Sequence, residues 1–217
     1  MYNLHSHSLL SDGVLLPSEI SMRYLHAGYK IIAITDHVDY SNIEFVVKSI
    51  VKFCKRWPEN KIPITVLPGV ELSHLPPEQF SPLAKYARRK GIKIIVAHGE
   101  SPVEPVINGT NHAALGADID ILAHPGLISE EDAAIASKKG VFLEITSRKG
   151  HSNTNTHVAQ IALKTGAKLI LNHDSHVPED IITPAELINV GLEAGLNREQ
   201  IETTFKEVAA FLKRRQR

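Results

Sequence analysis

Clusters of potential metal ligands follow almost every apolar, β-type run of this chain. In order, the clusters are His5-Ser-His7, Ser11-Asp12-Gly13, Thr35-Asp36-His37, Gly69-Val70-Glu71, Ala97-His98, Ala123-His124-Pro125 and His173-Asp174-Ser175-His176. When strands and helices alternate in a barrel, the carboxyl ends of the parallel strands lie on one face. A polynuclear metal centre is the simplest reason to gather so many imidazoles and carboxylates there. The fold must therefore bring the ends of nearly all its strands to one place.

The apolar runs are short, β-branched and regularly spaced. Their near-continuous apolar character is typical of parallel strands that are covered on both sides. We predict strands at Tyr2–His5, Lys30–Thr35, Ile64–Leu67, Ile92–Ala97, Ile119–Ala123, Val141–Thr146 and Ala167–Leu171. Helical spacing predicts helices at Pro17–Ala27, Pro77–Lys90 and Asn153–Thr165, and a closing helix through Ile201–Leu212.

An open doubly wound sheet and a closed barrel both suit this alternation of strands and helices. In an open sheet, a site lies at one switch point and takes residues from a few loops. Almost every strand contributes here, and only a closed ring brings all those ends together. We therefore predict an α/β fold, a distorted seven-stranded (β/α)7 TIM-like barrel with a metal site at the C-terminal ends of the strands. Residues 1–217 would form this single domain.

Composition limits the kinds of partner and site. The formal net charge of zero gives no electrostatic argument for binding nucleic acid or a membrane surface. The single cysteine, Cys54, excludes an intramolecular disulfide and a cysteine-rich zinc site. No run approaches the ~18 apolar residues that a membrane span needs. The amino terminus lacks the regions of a signal peptide. We expect a cytoplasmic protein.

Local spacing predicts which side chains act together. His5 and His7 lie two residues apart, so a strand would place both imidazoles on one face, and Asp174 and His176 repeat this spacing. Adjacent residues at a strand end point apart. For the Asp36-His37 pair we therefore assign the imidazole to the metal and the carboxylate to a supporting contact.

The strand-terminal Glu71 is expected to bridge two ions. A buried and unpaired carboxylate would be costly, and a carboxylate shared by two cations ~3.5–4 Å apart removes that cost. Nitrogen and oxygen ligands without thiolates fit Zn²⁺, Mn²⁺ or Fe²⁺. The candidate ligands exceed the needs of two four-coordinate ions, so we expect three divalent ions. The candidates are His5, His7, Asp12, His37, Glu71, His98, His124, Asp174 and His176.

These motifs, in this order, resemble the polymerase and histidinol phosphatase (PHP) family, and the resemblance covers essentially the whole chain. Members of that family have a distorted seven-unit barrel with a trinuclear metal site, and this chain looks histidinol-phosphatase-like. The resemblance implies a first ion at His5, His7, Glu71 and Asp174, a second at Glu71, His98 and His124, and a third at Asp12, His37 and His176. The chain departs from the family at Asn172-His173, where serine is usual, and this departure would add an imidazole at the site edge.

Other residues are candidates for contacts with substrate. Arg148 and Lys149 follow the sixth predicted strand and are expected to clamp a phosphate, because arginine suits bidentate phosphate contacts. A solvated basic loop is the alternative. His112, in the loop after the fifth cluster, is a further candidate for substrate contact. Asp36 and His173 are the candidates for assisting the leaving alkoxide as proton donors.

We therefore predict a metal-dependent phosphoesterase, a hydrolase in which a metal-bridging hydroxide attacks a small phosphate monoester. We expect no membrane partner, disfavour nucleic acid as a partner, and leave the oligomeric state open. The first alternative is a diesterase or nuclease acting on short nucleotides, which the single basic cluster and 6% aromatic content disfavour. The second is a non-catalytic PHP module, although every motif position is filled. The third is an amidohydrolase, which would want a bridging lysine.

Overall fold

Parallel strands form a nearly closed ring with helices around its outside. The structure is a computed structural model and describes residues 1–215. The strands are β1 (Tyr2–Asn3), β2 (Ile31–Ile34), β3 (His37–Val38), β4 (Thr65–Leu72), β5 (Ile94–His98), β6 (Ile121–Ala123), β7 (Phe142–Thr146) and β8 (Lys168–Asn172). They neighbour one another in the order β1-β2-β4-β5-β6-β7-β8, while β3 also pairs with β4, as a continuation of β2. The predicted seven-stranded barrel is confirmed.

Helices follow the strands and cover the outer face of the ring. They are α1 (Pro17–His26), α2 (Ile43–Arg56), α3 (Phe80–Arg89), α4 (Thr110–Gly116), α5 (Glu130–Lys139), α6 (Asn155–Thr165), α7 (Pro184–Glu193) and α8 (Arg198–Arg215). Their ends carry the expected signals: α1 begins at a proline, and Ser129 caps α5 by accepting a hydrogen bond from the Asp132 amide. Within residues 1–215, no helix combines the length and apolar character that crossing a membrane requires.

The barrel closes where the first strand meets the last. Ser6 and Ser175 form an isolated parallel bridge beyond the ends of β1 and β8. Below that bridge, side-chain amides stand in for missing ladder bonds. They accept hydrogen bonds from backbone amides, Leu4 N to Asn172 Oδ1 at 2.9 Å and His173 N to Asn3 Oδ1 at 2.8 Å. The seam (Tyr2–His7 against Asn172–His176) is thus held by side chains as much as by backbone pairing.

The ring interior has an apolar lower layer and a polar upper layer. Successive inward positions of β5 are Ile94, Val96 and His98, because side chains two residues apart share a face of a strand. The lower layer joins an inner core to which α8 contributes Val208 and Phe211. A second, larger apolar core lies between the strands and the surrounding helices. The polar ends of the inward rows therefore meet at the carboxyl-terminal face.

Strand β4 extends beyond the predicted end at Leu67, through Pro68 and Gly69. A Cβ atom at Gly69 would lie 2.5 Å from Thr35 Cγ2, so only glycine lets β4 pass the bend between β2 and β3. The Pro68 carbonyl still accepts a hydrogen bond from Lys93 N at 2.8 Å. The Pro-Gly pair, normally a turn signal, here continues a strand and carries it to the site.

Candidate metal centre

All nine predicted ligands lie at the carboxyl-terminal face. Most are buried, while Asp12 is largely exposed and His37 is partly exposed. Ligand atoms of several residues lie within 4.8 Å of one another in four groups. The groups are His7, Asp12, His37 and His176; His5, His7 and Glu71; His5, His124 and Asp174; and His74, His98 and Glu104.

The residues predicted for the first ion surround two carboxylates. The Nε2 atoms of His5 and His7 lie 3.3 Å and 3.4 Å from Glu71 Oε2. The same two Nε2 atoms lie 3.5 Å and 3.2 Å from Asp174 Oδ1. Two imidazoles and two carboxylates therefore share one small volume.

The residues predicted for the third ion meet at Asp12. His176 Nε2 is 3.3 Å and His37 Nε2 is 3.6 Å from Asp12 Oδ2. His7 Nδ1 lies 3.8 Å from the other oxygen of the same carboxylate. The structure thus brings the third predicted set together and places His7 between it and the first.

The residues predicted for the second ion are divided. His124 Nε2 lies 3.6 Å from Glu71 Oε1. His98 instead turns its Nε2 towards Glu104 Oε2, at 2.7 Å, and His74 Nε2 is 3.4 Å from the same oxygen. The rings of His98 and His124 remain adjacent, with centroids 4.4 Å apart. The expected sharing of an ion among Glu71, His98 and His124 is therefore not what this arrangement shows.

Unpaired buried atoms test whether this cluster fits divalent ions. Within residues 1–215, several buried ligand atoms make no hydrogen bond. They are His5 Nε2, both ring nitrogens of His7, both oxygens of Glu71 and His124 Nδ1. Buried polar atoms without partners are costly, and metal coordination is a way to satisfy lone pairs on nitrogen and oxygen. The donor set, imidazole and carboxylate without thiolate, fits divalent transition ions.

Glu144 supports the cluster from below. Its Oε1 accepts hydrogen bonds from His5 Nδ1 at 2.8 Å and from Asn172 Nδ2 at 2.9 Å, and its Oε2 accepts one from the His124 amide at 3.1 Å. A carboxylate on the outer nitrogen of a ligating imidazole fixes the tautomer and directs the other nitrogen inwards. Glu144 thus turns His5 Nε2 towards Glu71.

Replacing this support should weaken metal binding without removing a ligand. We expect Glu144→Gln to lower affinity for Zn²⁺ or Mn²⁺ by about 10–100-fold, because glutamine keeps one acceptor and turns the other into a donor. Competition with a chromophoric chelator measures the change. Glu131→Gln, on the exposed surface of α5, is the matched control. Equal affinities of the two variants would contradict the supporting role.

Burial and neighbouring charges set the protonation of the cluster. Burial lowers the pKa of His7 and His124, and neighbouring imidazoles lower each further, so both favour the neutral form that binds metal. Burial alone would raise the pKa of Glu71, but His5 and His37 outweigh it and hold that pKa well below its usual range. The pKa of Asp174 shifts in the opposite direction from that of Glu71. Burial is the main cause, and it raises the pKa of Asp174 to about 6.

The two predicted proton donors lie elsewhere. His173 is fully buried beneath the site, with Nδ1 3.2 Å from Tyr24 Oη and Nε2 2.7 Å from Tyr29 Oη. Burial lowers the pKa of His173 to about 3, so at neutral pH the ring is neutral and is not an imidazolium acid. Both of its nitrogens already contact tyrosine hydroxyls. The expectation of an extra imidazole at the site edge is therefore corrected: His173 is a buried packing residue.

Asp36 holds the loop that carries two of the ligands. Its Oδ1 accepts from Ser8 N at 2.8 Å and Ser11 Oγ at 2.9 Å, and its Oδ2 accepts from Ser8 Oγ at 2.8 Å. Burial raises the pKa of Asp36 against these hydrogen bonds. With both oxygens engaged and no exposed surface, Asp36 positions the turn between His7 and Asp12 and does not face a leaving group.

The predicted substrate contacts are dispersed. Arg148 reaches the site: its Nε lies 3.7 Å from Asp174 Oδ2, and its Nη1 donates to Asp180 Oδ2 at 3.1 Å. Lys149 is exposed on the same loop. His112 is also exposed on α4 and contacts Asp132 Oδ1 at 2.8 Å, outside the cluster of ligands. Of the three, only Arg148 touches a predicted ligand.

Sequence reasoning missed the residues around His98. Glu104 lies in the loop after β5, and His151 begins a short 3₁₀ turn after β7. His151 Nε2 is 3.4 Å from Glu104 Oε1, and its ring stacks on His124 at 4.2 Å. His74 lies three residues after Glu71 but belongs to none of the ligand clusters recognised in the sequence. No spacing rule points to Glu104, since a loop of irregular path carries it.

Comparisons with known proteins agree with this architecture. No family model matches the chain. An uncharacterized protein of Methanocaldococcus jannaschii is 43% identical over 208 residues, which cover 94% of each chain. A probable phosphatase of Thermoanaerobacter sp. is 27% identical over 178 residues, or 74% of this chain and 73% of the relative. The DNA polymerase/3'-5' exonuclease PolX of Bacillus subtilis is 25% identical over 236 residues, covering 98% of this chain and 41% of the polymerase.

A solved structure of an uncharacterized protein matches the barrel with a TM-score of 0.65 at 11% identity, over 98% of this chain and 73% of that one. This likeness concerns the fold alone. The sequence relatives carry the assignment, because the first of them is similar along nearly the whole length of both chains. The chain therefore belongs to the same family as the Methanocaldococcus jannaschii protein, and its weaker relatives include probable phosphatases and a DNA polymerase/3'-5' exonuclease.

Proposed function

We propose that this protein is a metal-dependent phosphoesterase that hydrolyses a phosphate monoester at a centre of three divalent ions. The observation that carries the proposal is the set of buried nitrogen and oxygen atoms of His5, His7 and Glu71 that face one another at the mouth of a barrel without a hydrogen bond. Relatives named probable phosphatases support phosphate esters as the substrates of the enzyme. The protein is thus a hydrolase of phosphate esters, and the monoester and the ion count are the finer parts of the proposal.

The residues divide the work of such a site. Divalent ions, when bound, supply a water of lowered pKa and positive charge for the phosphoryl oxygens. Glu71, within reach of imidazoles on several sides, is the ligand best placed to be shared between ions. Asp12 stands at the exposed side, where a substrate would enter. Zn²⁺, Mn²⁺ and Fe²⁺ all suit these ligands.

The cleft beside the centre favours a small substrate over a polynucleotide. It measures about 540 Å³ and runs from Asp12 and His37 to His74 and Glu104. Among the described residues that line it, there are three carboxylates, with Asp39 as the third, and no lysine or arginine. A polynucleotide backbone needs cationic partners along its path. The lining therefore argues against the nuclease alternative, although one relative is named an exonuclease.

Arg148 is proposed as the phosphate clamp. We expect Arg148→Ala to raise KM for a monoester by about 10–100-fold, the scale of a lost charged hydrogen bond, with a smaller effect on metal content. Steady-state kinetics and elemental analysis of the same samples measure both quantities. Arg148→Lys keeps the charge but loses the planar fork, so it should fall between the wild type and alanine.

Lys149→Ala provides the comparison, because Lys149 lies on the same loop but makes no contact with Asp174 among the described residues. An unchanged KM in Arg148→Ala would restrict Arg148 to its structural contacts with Asp174 and Asp180. A larger effect of Lys149→Ala than of Arg148→Ala would move the clamp to Lys149.

The direct test is phosphate release from a panel of monoesters, nucleotides and diesters, with the protein loaded in turn with Mn²⁺ and Zn²⁺. Release from a small monoester that stops on chelation is the expected result. Cleavage of a diester or an oligonucleotide, with no phosphate release from monoesters, would replace the monoesterase proposal with the diesterase or nuclease alternative. Inactivity on the whole panel by protein that holds metal would contradict the phosphoesterase proposal.

A further inference from the structure

Two sides of this molecule differ in charge although the chain is neutral overall. The cleft beside the metal centre has three carboxylates and no lysine or arginine among its described lining residues. A groove of about 490 Å³ between α2 and α3 has the opposite character, because cationic side chains line it with a single carboxylate, Glu44. The cations are Lys48, Lys52, Lys55, Arg56 and Lys90. We call this cavity the basic groove.

The cations of the basic groove lack carboxylate partners within residues 1–215. Elsewhere on the surface such pairs do form, as between Lys164 Nζ and Glu130 Oε1 at 2.5 Å. The ion pairs that lysines and arginines make in the described part of the chain all involve other cations. Lys48, Lys52 and Arg56 follow one another at intervals of four residues on α2, and like charges at this spacing are unfavourable for a helix. An anionic partner would relieve this repulsion.

Aromatic rings lie along the same surface. Tyr86 lines the basic groove, and the Nζ atom of Lys90 stands 5.7 Å from the centroid of its ring. A second cavity, of about 390 Å³, is lined by Phe53 and Trp57, whose ring centroids are 5.4 Å apart. The surface therefore offers flat apolar faces as well as positive charge.

These cavities form one continuous surface that leads away from the metal centre. Lys52 and Arg56 line both the basic groove and the cavity beside Trp57. Lys55 also lines a third cavity, of about 520 Å³, which reaches Thr65 at the start of β4. The starts of parallel strands lie on the face opposite their carboxyl ends. A ligand that follows this surface is thus held apart from the cluster of metal ligands.

We propose that the basic groove and the cavity beside Trp57 bind single-stranded nucleic acid, with phosphates on the cations and bases on the aromatic rings. Proteins that bind single strands combine a positive groove that follows the backbone with aromatic side chains on which bases stack. From Lys48 to Arg56, α2 rises ~12 Å, which spans about three phosphates at the ~3.4 Å axial spacing of a stacked strand. An acidic protein segment would match the charge but would make no use of the rings.

This binding surface is independent of the proposed phosphoesterase reaction. Its residues lie on α2 and α3 and in the segments after them, and none is a predicted metal ligand. The zero net charge predicted no nucleic-acid partner, because an average over the whole chain does not register where the charges lie. A protein inactive on every phosphate ester would still bind the strand.

Fluorescence of Trp57, the single tryptophan of the chain, tests the proposal without a label. We expect an oligothymidylate of about 16 nucleotides, the upper end of common site sizes, to quench this fluorescence saturably in the metal-loaded wild type. Five phosphate contacts predict a slope of about −3.5 for log K against log salt concentration. Denaturing gel electrophoresis of the recovered strand separates binding from cleavage.

Reversing charges that both cavities share should weaken this binding. We expect Lys52→Glu/Arg56→Glu to lower the affinity by about tenfold or more and to reduce the magnitude of the salt slope by about 1.4. Lys138→Glu/Arg198→Glu is the matched control, because it changes the net charge equally at exposed residues of α5 and α8. The control should keep the wild-type affinity and slope.

An abasic strand of the same length keeps the phosphates and removes the bases, so it should bind more weakly and leave Trp57 fluorescence nearly unchanged. The proposal is overturned if the wild type shows no saturable binding at low salt, or if the two double variants lose the same affinity. It is also overturned if the abasic strand binds as tightly as oligothymidylate. Displacement of the strand by polyglutamate, at the same concentration of negative charge, would replace nucleic acid with an acidic protein as the partner.

Discussion

Replacing Glu71 by glutamine should abolish turnover, with kcat lowered by about 10²–10³-fold or more. The side chain is fully buried, and its oxygens lie 2.9–3.6 Å from the imidazoles of His5, His7, His37 and His124. Glutamine has nearly the same shape but lacks the negative charge and one acceptor. It therefore cannot be shared between two cations, and we expect the metal content to fall with the activity.

Kinetics and elemental analysis of Glu71→Gln should be read together. Asp118→Asn is the control for a general effect of charge. Asp118 is an exposed carboxylate that precedes β6, whereas the predicted ligand His124 follows the other end of that strand. A Glu71→Gln protein that keeps both full activity and full metal content would defeat the bridging assignment. Loss of folded structure, followed by far-ultraviolet circular dichroism, would instead show that the carboxylate is needed before any ion binds.

Removing the ions should lower the thermal stability of the protein by a large amount. A ligand at 100 to 1,000 times its dissociation constant stabilises the folded state by about 2.7–4.1 kcal/mol. In a chain of this length, each kcal/mol shifts Tm by roughly 2–4 °C, so chelation should lower Tm by about 5–16 °C. The unpaired buried atoms of His5, His7 and Glu71 are the structural reason.

Differential scanning calorimetry with chelator, followed by return of Zn²⁺ or Mn²⁺, measures this shift. Glu71→Gln should show a smaller metal-dependent change in Tm than the wild type, because it lacks the carboxylate that we propose to be shared between ions. The contrary outcome is a Tm that stays the same after the chelator has removed the metal, with the removal confirmed by elemental analysis. It would mean that the folded cluster does not bind ions strongly.

Local patterns were enough to predict the barrel and the nine candidate ligands. Most of these residues lie at or soon after the end of a strand. The end of a parallel strand can be recognised from an apolar run and the polar residues after it. The spacing of two positions from His5 to His7, and from Asp174 to His176, sets the common direction of each pair. Strand ends and side-chain directions depend on local sequence, so they can be predicted without knowing how the elements pack.

Predictions failed where a side chain's direction depended on a bend. His173 was expected at the site edge, but β8 ends at Asn172 and the backbone turns at Asp174, which has a φ of 54°. Strand alternation no longer applies there, and the imidazole packs against tyrosines of and beside α1. Asp36 lies at the comparable bend between β2 and β3.

The surroundings of His98 could not be predicted, because they depend on a loop. Glu104 is six residues beyond His98, in a segment with prolines at positions 102 and 105. Its side chain returns to the end of β5 only because the loop folds over the mouth, where Ser101 contacts His151 at 2.6 Å. Loop paths of this kind depend on tertiary contacts that a single sequence does not encode as a pattern.

The seam between the first and last strands has a consequence for biosynthesis. Synthesis delivers His5 and His7 to the ribosome exit more than 160 residues before Asp174, which faces both. Bringing them together closes a loop over most of the chain, a slow step that cannot precede the strands between them. An ion held jointly by these residues would therefore be bound only after translation has passed Asp174, and the barrel would already be assembled when that ion is selected.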